Sequence, residues 1–118
     1  MRVALALALL VCLLPAGARA DNASEEIDYL LISIGSSNCT FIRNGKRYGA
    51  QDAESHLRMK YRYGKRYAST SEYFISRLAS ASSFSKKLYY IECEGEEKVP
   101  SGDWLTQRLD EYRAGADD

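Results

Sequence analysis

Asn44-Gly45 is the feature that constrains this chain most. It follows the run Cys39-Thr40-Phe41-Ile42-Arg43 and precedes Lys46-Arg47-Tyr48. A two-residue type I′ turn needs positive φ at both central residues, and Asn-Gly meets that need with little steric cost. Such a turn sets the strand register, placing Arg43 opposite Lys46, Phe41 opposite Tyr48 and Cys39 opposite Ala50. One hairpin face then carries Cys39, Phe41, Tyr48 and Ala50, while the charged pair beside the turn stays in reach of water.

The N-terminal segment has the layout of a secretory leader. Arg2 is followed by the apolar run Val3 to Leu14, then Pro15, Gly17 and the small-x-small sequence Ala18-Arg19-Ala20. Cleavage is expected before Asp21. The apolar run is too short to span a bilayer and no second one follows, so no transmembrane segment is expected. Taking residues 1–20 from the 118 leaves 98, enough for one small domain over residues 21–118 that benefits from a covalent staple. Two cysteines remain in it, Cys39 and Cys93. An exported chain meets an oxidising compartment, so a structural disulfide between them is expected. A redox or metal pair is the alternative, but the sequence has no Cys-x-x-Cys and one histidine. No metal site or cofactor is expected.

Helical and strand periods order the rest. Ser24 is placed to cap a first helix whose opening turn carries Glu25, Glu26 and Asp28, with Ile27, Leu30, Leu31 and Ile34 as its apolar stripe. A second helix runs from about Gln51 or Asp52 to Tyr63, with Glu54 four residues before Arg58 and Gly64 as its stop. Ser69-Thr70-Ser71-Glu72 reads as a capping box with Ser69 as the cap, opening a short helix that carries Phe74, Ile75 and Leu78. A serine-rich loop, Ser80 to Ser85, leads to a strand on which Tyr89, Ile91 and Cys93 share a face. Gly95 to Pro100 reads as a polar loop. Ser101 then caps a last helix with Trp104, Leu105, Leu109 and Tyr112 inward and a tail that frays after Arg113. The expected fold is α+β, in the order α-β-β-α-α-β-α, with a small, mainly antiparallel three-stranded sheet packed with about four helices.

The leader, FIRNG at Phe41 to Gly45, AESHLRMKY at Ala53 to Tyr61, TSEYFI at Thr70 to Ile75 and the strand around Tyr89 and Ile91 together resemble the YfeK-like family of small bacterial periplasmic proteins of unknown function. The resemblance spans nearly all of residues 21–118. It implies a bacterial envelope location and carries no established activity. Where that pattern leads to a Gly and a Pro beside the third strand, this chain has Lys86 and Leu88.

Formal charge balances at +0, but by segment it does not. Residues 21–42 carry four acids and no base, residues 43–87 eleven bases against three acids, and residues 92–118 nine acids against three bases. Such segregation produces either a basic patch or a basic segment neutralised by folding against its acidic neighbours. The candidate binding residues are Arg43, Lys46, His56, Lys60, Arg62, Lys65 and Arg66, with tyrosines interleaved from Arg58 to Tyr67. The bland counterpart is a solvated helix face with Tyr61 in the core. His56 and Lys60 are four apart and so neighbours on a helix, and with Arg43 they suit either an anion-binding notch or a histidine simply bonded to the hairpin. No nucleophile or second acid completes a catalytic set around His56. Ser83 to Lys86 matches a Ser-x-x-Lys spacing, but it precedes a strand and lacks a companion Lys-Thr-Gly.

These observations point to a non-enzymatic, periplasmic binding module for an anionic envelope component or a protein partner, and away from genomic nucleic acid. The alternative from another class is a small hydrolase or transferase using His56.

Overall fold

The hairpin forms with the register that Asn44-Gly45 dictates. In the computed structural model, which describes residues 18–116, β1 (Cys39–Arg43) pairs with β2 (Lys46–Tyr48) through Arg43↔Lys46, Ile42↔Arg47 and Phe41↔Tyr48. Asn44 and Gly45 adopt φ of 51° and 79°, the left-handed values a type I′ turn needs. The pairing stops at Tyr48, two residue pairs short of the expected Cys39–Ala50 pair. Ala50 does not face Cys39; it opens the helix α2 (Ala50–Gly64), and Cys39 pairs on its other side with Cys93.

β3 (Tyr90–Cys93) lies antiparallel to β1 through Cys39↔Cys93, Thr40↔Glu92, Phe41↔Ile91 and Ile42↔Tyr90. The expected disulfide Cys39–Cys93 joins the two strands. The sheet has four strands where three are expected, because Val99–Pro100 forms β4 through Tyr90↔Pro100 and Ile91↔Val99, giving the antiparallel order β2-β1-β3-β4. A strand of two residues ending in proline carries almost no periodic signal, and proline is tolerated there because β4 is an edge. The inner face, Cys39, Phe41, Tyr89 and Ile91, is buried, while Thr40, Ile42, Tyr90 and Glu92 on the outer face are half-buried.

Helices cover the inner face. In α1 (Ala18–Gly35) the stripe Ile27, Leu30, Leu31 and Ile34 is buried as its spacing requires. The helix starts before Ser24, so Ser24 is an exposed interior residue and not a cap. The leader expected over residues 1–20 lies outside the described residues except for 18–20, which belong to α1. Gly64 ends α2 with φ −112°, so it supplies no left-handed cap. What Gly64 supplies is room: a Cβ there would sit 3.0 Å from Leu78 Cδ2. A 3₁₀ turn, Lys65–Tyr67, follows.

Thr70, not Ser69, caps α3 (Ser71–Tyr73): its Oγ1 accepts from the Tyr73 N–H at 3.1 Å. Glu72 does not reach back to the cap; it pairs with Arg113. The helix continues as a π-helical segment, Phe74–Ala79, that buries Phe74, Ile75 and Leu78. Ser101 begins α4 (Ser101–Ala116) with its hydroxyl donating to the Ala79 carbonyl at 2.7 Å, so it ties α4 to that segment where a cap is expected. Trp104, Leu105 and Leu109 are buried, and Tyr112 lies against Tyr29 with ring centroids 4.5 Å apart. The helix persists through Ala116, held by Arg113, which donates to both Glu26 carboxylate oxygens at 2.7 and 3.0 Å.

The serine-rich loop is ordered by its own hydrogen bonds. Ser82 N–H donates to the Lys87 carbonyl at 2.9 Å and Lys86 N–H to the Ser82 carbonyl at 3.0 Å. Lys86 adopts φ 63°, the conformation a glycine takes freely and a lysine at some cost. Lys86→Gly is therefore expected to leave stability unchanged or raise it by up to about 1 kcal/mol, read by urea unfolding. A clear loss would show that the lysine side chain contributes more than its backbone strain removes.

Candidate anion-binding site

Three elements and one loop converge beyond the turn end of β1. Arg43 continues the inner face of β1 past Cys39 and Phe41, so its side chain leaves the core where the sheet ends. His56 and Lys60 are one turn apart on α2, on the flank of the buried pair Ala53 and Leu57. Tyr89 immediately precedes β3; its ring is buried against Phe41, with centroids 5.2 Å apart, which aims the hydroxyl at α2. The 80–88 loop closes one side and is tied to the hairpin turn by Ser85 Oγ donating to Asn44 Oδ1 at 2.6 Å.

These groups touch in sequence. Arg43 Nη1 lies 2.7 Å from His56 Nδ1 and 2.8 Å from Nε2, and its guanidinium also sits 4.6 Å from the Tyr48 ring centroid. His56 Nε2 is 3.4 Å from the Tyr89 hydroxyl. Lys60 Nζ donates to that hydroxyl and to the Ala81 carbonyl, both at 3.1 Å. Guanidinium and ammonium groups only donate, so His56 must offer an unprotonated ring nitrogen to Arg43. If that nitrogen is Nδ1, the Nε2–H donates to the Tyr89 oxygen, which then accepts twice and leaves its own O–H free to donate into the cavity.

The electrostatics agree with the geometry. Burial, then the charge of Arg43, then that of Lys60 push His56 down to about 4, so the ring is neutral at pH 7. Burial, then Arg43, then Lys86 bring Lys60 down to about 8. Burial raises the Tyr89 hydroxyl, which stays protonated.

The cavity beside these groups holds about 320 Å³ and is lined also by Lys46, Met59, Ser82, Ser83 and Phe84. No carboxylate lines it among the described residues, and none pairs with Arg43, Lys46 or Lys60 there. Elsewhere the segregated charges do cancel. Arg58 binds Glu54 and Asp28 at 2.7 and 2.9 Å, Arg47 binds Glu92, and Arg113 binds Glu26 and Glu72. Folding thus neutralises part of the basic segment and leaves the cavity cationic.

The seven basic and histidine positions divide in two. Arg43, Lys46, His56 and Lys60 gather at the cavity. Arg62, Lys65 and Arg66 are exposed and do not line it; Lys65 Nζ lies 5.4 Å from the Tyr61 ring centroid and Arg66 Cζ 4.8 Å from that of Tyr67. The strand alternation places Tyr89 on one face with Ile91 and Cys93 and gives no role to its hydroxyl. The available signal was chemical: a tyrosine on a buried strand face must find a partner for its O–H. No group of three or more His, Cys, Asp or Glu side chains placed to hold a metal occurs among the described residues.

Residues 21–113 match a family described as DUF5329, a family of unknown function. The chain belongs to that family. It is also 36% identical over 91 residues to the uncharacterised protein YfeK of Salmonella typhimurium, covering 75% of each chain. No solved structure matches. No helix among the described residues is long and apolar enough to cross a membrane.

Proposed function

We propose that this DUF5329 member is a non-enzymatic binding module, exported to the periplasm, that takes the anionic group of an envelope component between Arg43, Lys60 and the Tyr89 hydroxyl. The observation that carries the reading is the convergence of unpaired cations on a cavity without a carboxylate. Half-burying such charges costs stability, and an anion offsets that cost on arrival. The exposed Arg62, Lys65 and Arg66 add longer-range attraction that salt screens. The leader layout and the small, disulfide-closed domain support the location.

A hydrolase or transferase using His56 fits less well. A ring that protonates only near 4 is a weak base, and Arg43 approaches both of its nitrogens.

Titration of the protein with inorganic phosphate, followed by amide-correlation NMR, tests the binding reading. Shifts should cluster at Arg43, His56, Lys60 and Tyr89. Lys60→Met should weaken binding tenfold or more, about the worth of a charge-assisted hydrogen bond. The same substitution removes a half-buried cation with no carboxylate partner, so folding stability should hold or rise by about 1 kcal/mol. Because the charged amine is the binding form, affinity should fall as pH rises through about 8. Binding that survives Lys60→Met, or that shows no such pH dependence, would remove Lys60 from the site.

A further inference from the structure

The cationic cavity opens directly onto a second, larger depression. That groove holds about 670 Å³ and is walled mostly with carbon by Met59, Tyr63, Tyr67, Leu78 and Phe84, with Arg77 and Gly64 completing the wall. Both spaces share Met59, Lys60, Ser83 and Phe84, so the Lys60 ammonium stands at the junction between them. The groove's walls are unusually exposed for their type: Phe84 is 99%, Tyr63 78% and Met59 43% accessible. Scattered apolar residues need no explanation, but a contiguous apolar surface beside a charged pocket does.

From this juxtaposition we infer that the occupant is a single-chain lipid with a phosphate head group, the head in the Arg43–Lys60–Tyr89 cavity and the hydrocarbon chain along the Met59–Tyr63–Phe84 groove. The inference rests on the anion-site reading and adds the class of ligand. Three arguments select it. The combined spaces fall in the size range of small-molecule sites, roughly 300–1,000 Å³ each. Arg43, Lys60 and the Tyr89 O–H present several separated donors, which suits a phosphate with three free oxygens. The carbon walls suit a hydrocarbon chain, which needs no hydrogen-bond partner.

The decisive experiment compares inorganic phosphate with butyl, hexyl and octyl phosphate by calorimetry on the intact exported protein, each kept below its self-association threshold. Octanol and phospholipid vesicles containing anionic lipid complete the set. The expected result is an affinity that rises about two- to fourfold per added methylene, as burial of hydrocarbon requires. Replacing both groove tyrosines, Tyr63→Ser with Tyr67→Ser, should flatten that dependence; both are exposed, so the fold should tolerate it. Equal affinity for phosphate and octyl phosphate overturns the lipid inference and leaves the anion site standing. Silence towards both phosphate and the alkyl phosphates overturns the anion site as well. Octanol binding as tightly as octyl phosphate would show that the head group does not enter the cavity. Capture by vesicles alone, with no response to monomers, replaces the single-molecule ligand with docking onto a lipid surface through Phe84.

Discussion

Removing the Cys39–Cys93 disulfide, through Cys39→Ala with Cys93→Ala, is expected to lower folding stability by about 4 kcal/mol, because the bond closes a loop of 54 residues. That loop contains the hairpin, α2, α3 and the 80–88 segment, so the bond restricts more than half of residues 21–118 in the unfolded state. In the folded state the two cysteines are direct partners across β1 and β3, and Cys39 is buried on the inner sheet face. Small domains carry roughly 5–15 kcal/mol in total, so this bond supplies a large share of the margin, from about a quarter to about four-fifths. With a urea dependence of about 1 kcal/mol per molar for a chain of this size, the midpoint should fall by several molar. Arg43 lies at the opposite end of β1 from Cys39, so phosphate binding should survive in the fraction that stays folded. A loss below about 1 kcal/mol would mean that chain closure contributes little here.

Phe41→Ala should cost about 3–5 kcal/mol, the usual penalty for emptying a buried aromatic site. Phe41 is 2% exposed in the middle of the sheet, paired with Tyr48 on one side and Ile91 on the other. It also supports the site, since its ring packs on Tyr89 and so holds the hydroxyl that meets Lys60 and His56. Two readouts should therefore move together, the urea midpoint and the affinity for phosphate. Phe41→Leu keeps most of the volume and should lose only about 1–2 kcal/mol with a smaller effect on binding. Unchanged affinity in folded Phe41→Ala would show that Tyr89 needs no support from the core.

Much of the frame is legible in the chain because it rests on short-range rules. Asn44-Gly45 decides the hairpin register through the φ values of two residues, and the structure has that register from Arg43↔Lys46 to Phe41↔Tyr48. The stripe from Ile27 to Ile34 and the alternation from Tyr89 to Cys93 each report one periodic face. Caps are less legible. Ser69 ranks slightly above Thr70 as a cap by sequence, yet Thr70 takes the role, because the choice depends on where α3 begins in the packed fold. Ser101 has a cap's chemistry, but the nearby Ala79 carbonyl takes its hydroxyl instead.

The site is half legible. The neighbourhood of His56 and Lys60 follows from helical spacing, and the turn places Arg43 at the hairpin end. The Tyr89 hydroxyl reaches Lys60 across 29 residues of sequence and His56 across 33, and no local pattern encodes such a contact.

From the residues alone come the hairpin, its register, the apolar helix faces, the pair of cysteines able to close the domain and the uneven distribution of charge. These follow from backbone sterics and burial, which act between near neighbours. Only the tertiary structure decides which charges cancel. Asp28 finds Arg58 across 30 residues and Glu26 finds Arg113 across 87, while Arg43 and Lys60 meet at a cavity with no carboxylate among the described residues. The reason is that Coulomb attraction depends on distance in space, and the fold, not the order of residues, sets that distance.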